Sequence, residues 1–184
     1  HRLLASAPTG IATMSLQGEG FEDVATCDRL LGELDGGQEQ LDARTVLVVD
    51  EAGMVGSRKL SRLLEHAQQA QAKVVLIGDD RQLAAIDAGG GFRALRLRLG
   101  ASELTENRRQ HQAWEREALE LVRSGLVEEA VAAYQAHDRV VAADSKPAAT
   151  LALLQDWWTA WQQAERDPAQ EVVVLAARRA EVDR

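Results

Sequence analysis

Two adjacent carboxylates, Asp50 and Glu51, follow a run of four apolar residues, Val46-Leu47-Val48-Val49, three of them β-branched. A small turn, Ala52-Gly53-Met54, comes next, and then a helical pattern. An apolar run of this kind reads as a strand buried on both faces, as in a parallel sheet. The acids then stand at its carboxyl end, where ligands bind in open α/β sheets. There one carboxylate can hold Mg²⁺ through water while the other orients a hydrolytic water. The simpler alternative is that Asp50 caps the next helix. A second apolar stretch, residues 73–80, also ends on carboxylates, Asp79 and Asp80, with Gln82 and Leu83 after it. Further on, Arg108 and Arg109 stand together in Glu106-Asn107-Arg108-Arg109-Gln110. Alone, that pair reads as a solvated start to a surface helix.

The elements that must position these groups are legible from pattern. Residues 3–7 form a short buried-strand candidate, ended by Pro8-Thr9-Gly10, and a helix begins at Ile11. Gly18 and Gly20 break it. A short helix is expected from about residue 24 to 34, with Thr26 as its cap, then a turn at Asp35-Gly36-Gly37 and a polar loop over 38–44. Ser57 is the expected N-cap of a helix over 58–70, whose Leu60, Leu63, Leu64 and Ala67 follow the helical period. Strand, helix and strand over 45–80 make a βαβ unit with both acidic ends on one sheet edge. Gly89-Gly90-Gly91-Phe92 is a glycine turn before a short helix to about 99. Strands are expected at 102–105, 139–143 and 171–176, and helices at 112–137 (broken near Ser124-Gly125) and 147–165. The last of these carries Trp157, Trp158 and Trp161, on the face of Leu153 and Leu154. That invites base stacking, but the spacing fits core or domain packing better.

Composition bounds the function. At 184 residues the prior is one domain, or one and a piece of another. The net charge of −8 argues against a global basic footprint for nucleic acid, although 18 of the 21 basic residues are Arg and could line a local groove. The single cysteine, Cys27, excludes an internal disulfide and suits a reducing cytoplasm. No apolar run reaches membrane-spanning length. Cys27 and the four His have no metal-ligand spacing. Arg178-Arg179 reads as a solvated turn sooner than a phosphate contact. Both ends look cut, as in an internal piece of a longer protein.

Four segments stand in a specific order: Ala7-Pro8-Thr9-Gly10, Val49-Asp50-Glu51-Ala52-Gly53, Gly78-Asp79-Asp80-Arg81-Gln82-Leu83, and Leu104-Thr105-Glu106-Asn107-Arg108-Arg109-Gln110. Together they resemble motifs Ia, II, III and IV of superfamily 1 DNA helicases, in the RecD-like branch. The Asp-Glu-Ala-Gly-Met sequence, the glycine turn and Glu-Leu-Thr-Glu-Asn-Arg-Arg-Gln are most similar to the helicase portion of MobF-type conjugative relaxases. The resemblance implies an incomplete RecA-like P-loop NTPase domain with a parallel α/β sheet over residues 1–104, and the start of a second RecA-like domain over 105–184. It implies 5′ to 3′ tracking on single-stranded DNA driven by ATP, in conjugative transfer, with other conjugation proteins as further partners. Asp50 would hold Mg²⁺ and Glu51 would polarise the attacking water. Gln82 would sense the γ-phosphate, with Asp79 close by. Arg109 aligns with the arginine that reaches the γ-phosphate from the second domain, with ATP between the two; a guanidinium can neutralise charge on the transferred phosphoryl. Arg108 holds a position usually aromatic in better-known relatives, which leaves open which of the two reaches the phosphate. Thr9 would touch the DNA backbone.

One expected part is missing. The family's phosphate loop, G-x-x-x-x-G-K-[ST], has no match here, because none of the three lysines (Lys59, Lys73, Lys146) follows Gly or precedes Ser or Thr. The loop is expected upstream of His1, later motifs beyond Arg184, and the isolated chain is expected to be inactive. The alternative is a vestigial helicase-like domain that binds single-stranded DNA without hydrolysis. The intact Asp50-Glu51, Gln82 and Arg109 argue against it.

Overall fold

The computed structural model describes residues 1–80, 82, 88–104, 106–164 and 172–175. Two compact units form, His1–Thr105 and Glu106–Arg184. The first is built on four parallel strands in the order β2-β1-β3-β4: β1 is Arg2–Ala7, β2 Val24–Thr26, β3 Thr45–Val49 and β4 Lys73–Leu76. β1 and β3 run in register from Arg2 opposite Thr45 to Ser6 opposite Val49. β3 pairs β4 from Val46 opposite Lys73 to Val49 opposite Leu76. β3 is thus flanked on both sides, as the apolar run predicts.

Alternation along β1 and β3 feeds two cores. Leu4, Leu47 and Val49 pack on one face with Leu30, Leu31 and Leu34 of α2 (Cys27–Asp35) and Leu60 and Leu63 of α3 (Ser57–Gln69). Ala5, Ala7 and Val48 face the other way, against Leu16 of α1 (Gly10–Gly18). Each fully buried Leu or Val stabilises the fold by roughly 1.5–3 kcal/mol relative to exposure. Cys27 lies in the first core at 1% exposure, its Sγ 3.4 Å from the Ser6 hydroxyl that donates to it. Burial pushes its thiol pKa up. The reading of Cys27 as structural fits this position.

Local chemistry sets the element ends. Thr9 caps α1, its Oγ1 accepting from the Ala12 amide at 3.2 Å, and Thr26 caps α2 by accepting from Arg29. The segment from 24 is therefore not helical at first. Val24–Thr26 pair with β1 as an edge strand, and the helix starts only at Cys27. Ahead of β3, the Asp42 carboxylate accepts from the buried Thr45 hydroxyl at 2.7 Å and from the Arg44 amide at 2.9 Å.

Ser57 is not the N-cap of α3. Gly56 is, and the Ser57 hydroxyl instead donates to the Gly89 carbonyl at 3.2 Å, beside a hydrogen bond from the Ser57 amide to the Ala88 carbonyl at 2.8 Å. The glycine turn is thereby fastened to the start of α3. A Cβ at Gly91 would come within 3.3 Å of Leu60, and Gly90 has φ +93°, so the turn needs glycine for packing and backbone reasons. It leads into α4, Gly91–Leu99.

In the second unit, α5 (Ala113–Arg123) and α6 (Val127–Ala136) pack as a hairpin around Ala118 and Ala130, broken at Ser124-Gly125 as expected. The Trp114 ring stacks on His137 at 4.0 Å and meets Tyr134 edge-on at 5.4 Å. α7 spans Lys146–Ala164. Its tryptophans stack on one another, Trp158 on Trp161 at 5.1 Å, while Leu153 and Leu154 stay about half exposed at 47% and 50%. Among the described residues, the packing on that face is made by the tryptophans, with Trp157 Nε1 donating to the Val172 carbonyl at 3.4 Å. Residues 102–104, 139–143 and 172–175 are not strands. All of their described residues are exposed except the half-buried Val172. Thr105, Glu165, Glu171 and Ala176, the remainder of those expectations, lie outside the described residues. Among the described residues, no helix is long and apolar enough to cross a membrane.

Candidate nucleotide-hydrolysis site

The carboxyl edge of the sheet collects three chain ends. Beyond Val49 the backbone stays locked: the Asp50 amide donates to Ser6 O at 2.8 Å, Ile77 N to Val49 O at 2.9 Å, and Ala52 N to Ile77 O at 2.8 Å. The chain then turns at Glu51, which sits in the left-handed region at φ 49°, ψ 38°. A non-glycine residue there costs of order 1–2 kcal/mol. Ala52 and Val55, at 0% and 3% exposure, anchor the following 3-10 turn, Ala52–Met54, into the core. Asp50 and Glu51 are left partly exposed above it. Neither carboxylate caps the turn, which removes the simpler reading of Asp50. Among the described residues neither side chain is held in a hydrogen bond or ion pair.

The second acidic end abuts the first. A Cβ on Gly53 would lie 2.9 Å from the Asp79 carbonyl oxygen, and one on Gly78 would lie 3.0 Å from Gly53 N and 3.1 Å from Ala52 N. Only two glycines face to face let these backbones meet. Phe92 covers the junction, its ring 3.5 Å from the Gly78 Cβ position. The turn that carries Asp50 and Glu51 and the one that carries Asp79 are thus in backbone contact. Asp80 is engaged elsewhere: at 12% side-chain exposure it pairs with Arg96 of α4 at 3.1 Å, and Arg96 also holds Glu103 at 2.6 Å. The second-metal reading of Asp79-Asp80 loses one ligand to that pair. Among the described residues, no three His, Cys, Asp or Glu side chains cluster to hold a metal. A nucleotide-borne Mg²⁺ needs only one or two carboxylates besides phosphate oxygens and waters, and Asp50 fits that donor set.

Gln82 is exposed, and its neighbours Arg81 and Leu83 lie outside the described residues. Thr9 follows β1 on the same carboxyl edge. Its Oγ1 is used as a cap acceptor, yet a hydroxyl keeps its proton for donation. Arg178 and Arg179 also lie outside the described residues.

In the second unit, Arg108 makes a two-pronged contact with Glu106 at 2.9 and 2.8 Å. Arg109 makes no side-chain hydrogen bond or ion pair among the described residues. Its backbone is held instead: Asn107 Oδ1 accepts from Arg109 N at 3.1 Å and Gln110 N at 3.3 Å, and Arg116 Nη1 donates to Gln110 O at 2.8 Å and His111 O at 3.0 Å. Arg96, Asn107 and Arg116 were not singled out by motif. Asn107 carries a local signal, since Asn commonly bonds the backbone two residues on. The two arginines carry none.

A family model described as an AAA domain matches residues 1–145. The probable conjugal transfer protein TraA of Sinorhizobium fredii is 36% identical over 183 residues, covering 99% of this chain and 16% of that protein. The conjugal transfer protein TraA of Rhizobium radiobacter is 39% identical over 147 residues, 79% of this chain and 13% of its own length. The RecBCD enzyme subunit RecD of Mycolicibacterium smegmatis is 40% identical over 67 residues, 36% of this chain and 12% of that subunit. The chain spans 16% or less of the length of these relatives. With a parallel RecA-like sheet whose acidic strand ends meet at one edge, and these matches along it, the chain belongs to the AAA-domain family, as a RecD-like helicase segment of the conjugative-relaxase type.

Proposed function

We propose that this chain supplies the hydrolytic half of an ATP-driven motor that moves 5′ to 3′ on single-stranded DNA during conjugative transfer. The observation that carries the reading is the turn at Asp50-Glu51: two partly exposed carboxylates without side-chain partners among the described residues, on a rigid strand end, backed by Gly78-Asp79. Asp50 would hold Mg²⁺ through water, and the ion would supply charge neutralisation at the phosphates. Glu51 orients and deprotonates the attacking water. Gln82 and Asp79 report on the γ-phosphate, and Arg109 neutralises the transferred phosphoryl. Thr9 donates its hydroxyl proton to a DNA phosphate, at a helix N-terminus whose amides favour the same charge. Residues from 105 onward begin a second RecA-like domain, and other conjugation proteins and a cytoplasmic setting complete the picture. No phosphate loop lies within the chain, so the 184 residues alone are without ATPase activity.

The test uses the full-length protein. Glu51→Gln should lower DNA-stimulated ATP turnover at least about 100-fold while ATP binding persists. A wild-type full-length protein that binds single-stranded DNA and never hydrolyses ATP would replace this reading with that of a binding domain.

A further inference from the structure

Residues 106–111 have no regular secondary structure, so their backbone polar groups need partners from side chains or water. Two side chains supply them from opposite sides. Asn107 takes the amides of Arg109 and Gln110 on one carboxamide oxygen. Arg116, on the first turn of α5, gives one guanidinium nitrogen to the carbonyls of Gln110 and His111. The peptide that carries Arg109 is clamped before and after its Cα. Asn107, Arg108 and Arg116 also line an open polar concavity of about 580 Å³, while Arg109 stays outside it. Arg108 is paired with Glu106, and among the described residues the Arg109 guanidinium makes no hydrogen bond or ion pair.

We infer that Asn107 and Arg116 are positioning residues for Arg109: they hold its backbone so that its guanidinium is aimed before ATP arrives. This rests on the reading of Arg109 as the phosphate-reaching arginine. Neither residue touches the nucleotide. Fixing the backbone sets where the Arg109 side chain starts and how far it can reach, and a misplacement near 1 Å can cost about 100-fold in rate.

The experiment is a double-mutant cycle in the full-length protein, with kcat and KM for DNA-stimulated ATP hydrolysis and the Kd for single-stranded DNA measured for each variant. Arg116→Ala is expected to lower kcat about ten- to hundredfold, with KM and the DNA Kd within about twofold of wild type. Arg116→Lys, whose ammonium can still reach a carbonyl, should recover part of the loss. Arg109→Ala/Arg116→Ala should be no slower than Arg109→Ala alone, because the clamp acts only through Arg109. Wild-type kcat in Arg116→Ala, with turnover lost in Arg109→Ala, overturns the inference alone. Losses that multiply in the double variant also overturn it. Undiminished turnover in Arg109→Ala overturns the underlying reading, and this inference with it. Should Arg116→Ala not fold, Asn107→Ala removes the opposite clamp and is judged by the same outcomes.

Discussion

Gly53 and Asp79, on turns that follow two neighbouring parallel strands, approach so closely that a Cβ on Gly53 would sit 2.9 Å from the Asp79 carbonyl oxygen. That contact joins the Asp50-Glu51 turn to the Gly78-Asp79 loop. Gly53→Ala should therefore destabilise the chain by about 1–3 kcal/mol through overpacking against backbone that cannot swing away. The matched control is Gly32→Ala on α2, where the new methyl meets nothing within 4 Å and φ is not positive. It should stabilise by about 0.5–1 kcal/mol. Urea denaturation of the two variants beside wild type checks both signs.

Glu51 holds a left-handed backbone that suits glycine. Glu51→Gly should raise the stability of the chain by about 0.5–1 kcal/mol, the relief of the backbone term less the entropy glycine loses on folding. The same change in the full-length protein should abolish ATP turnover. Gain of stability with loss of turnover marks a residue kept for chemistry; a destabilised Glu51→Gly would show that the carboxylate supports the turn.

Arg96 joins Asp80 to Glu103 and leaves its own Nε buried without a partner among the described residues. Removing it strands a carboxylate of only 12% exposure. Arg96→Ala should cost about 1–3 kcal/mol. Arg108→Ala breaks a pair whose side chains are 83% and 73% exposed and should cost under about 0.5 kcal/mol. Thermal or urea unfolding separates the two, and equal costs would mean that the Asp80–Arg96 pair is no better than a surface contact.

The pH dependence has two limbs. On the acid side, Asp35 is held below the usual carboxylate range by hydrogen bonds from Arg62 and His66, Glu39 by two from Arg2, and Asp42 by one from the Thr45 hydroxyl. Each folded-state value lies below the unfolded one of about 4. The unfolded chain therefore binds protons first, and stability falls as pH drops below about 4, through the folded values. On the alkaline side, burial raises Cys27. Its contribution is complete below the unfolded thiol value of about 8.5 and is lost as pH rises beyond that, through the folded value. Unfolding free energy measured from pH 7 to 10 should decline in wild type and decline less in Cys27→Ala.

Much of this molecule was legible without coordinates. The run Val46–Val49 read as a strand covered on both faces with the acids at its end, and that is what β3 is. Thr26 announced its cap, and Leu60, Leu63 and Ala67 their helix face, because each signal is local or periodic; that Thr9 caps α1 only the structure showed. The short β2 was not legible. Three residues have too little pattern to show that an edge of β1 waits for them.

The tertiary structure decided the rest. Ser57 looked like a cap and became the anchor of a glycine turn 32 residues away. Asp80 looked like half of an acidic pair and is tied to Arg96, while Arg108 is paired with Glu106 and the Arg109 side chain makes no hydrogen bond or ion pair among the described residues. Strand burial, capping and helix faces depend on neighbours a few residues apart, and these the sequence determined by itself. Which carboxylate and which guanidinium remain unengaged depends on charges and carbonyls that only folding brings within 3 to 4 Å, and no spacing along a chain encodes that distance.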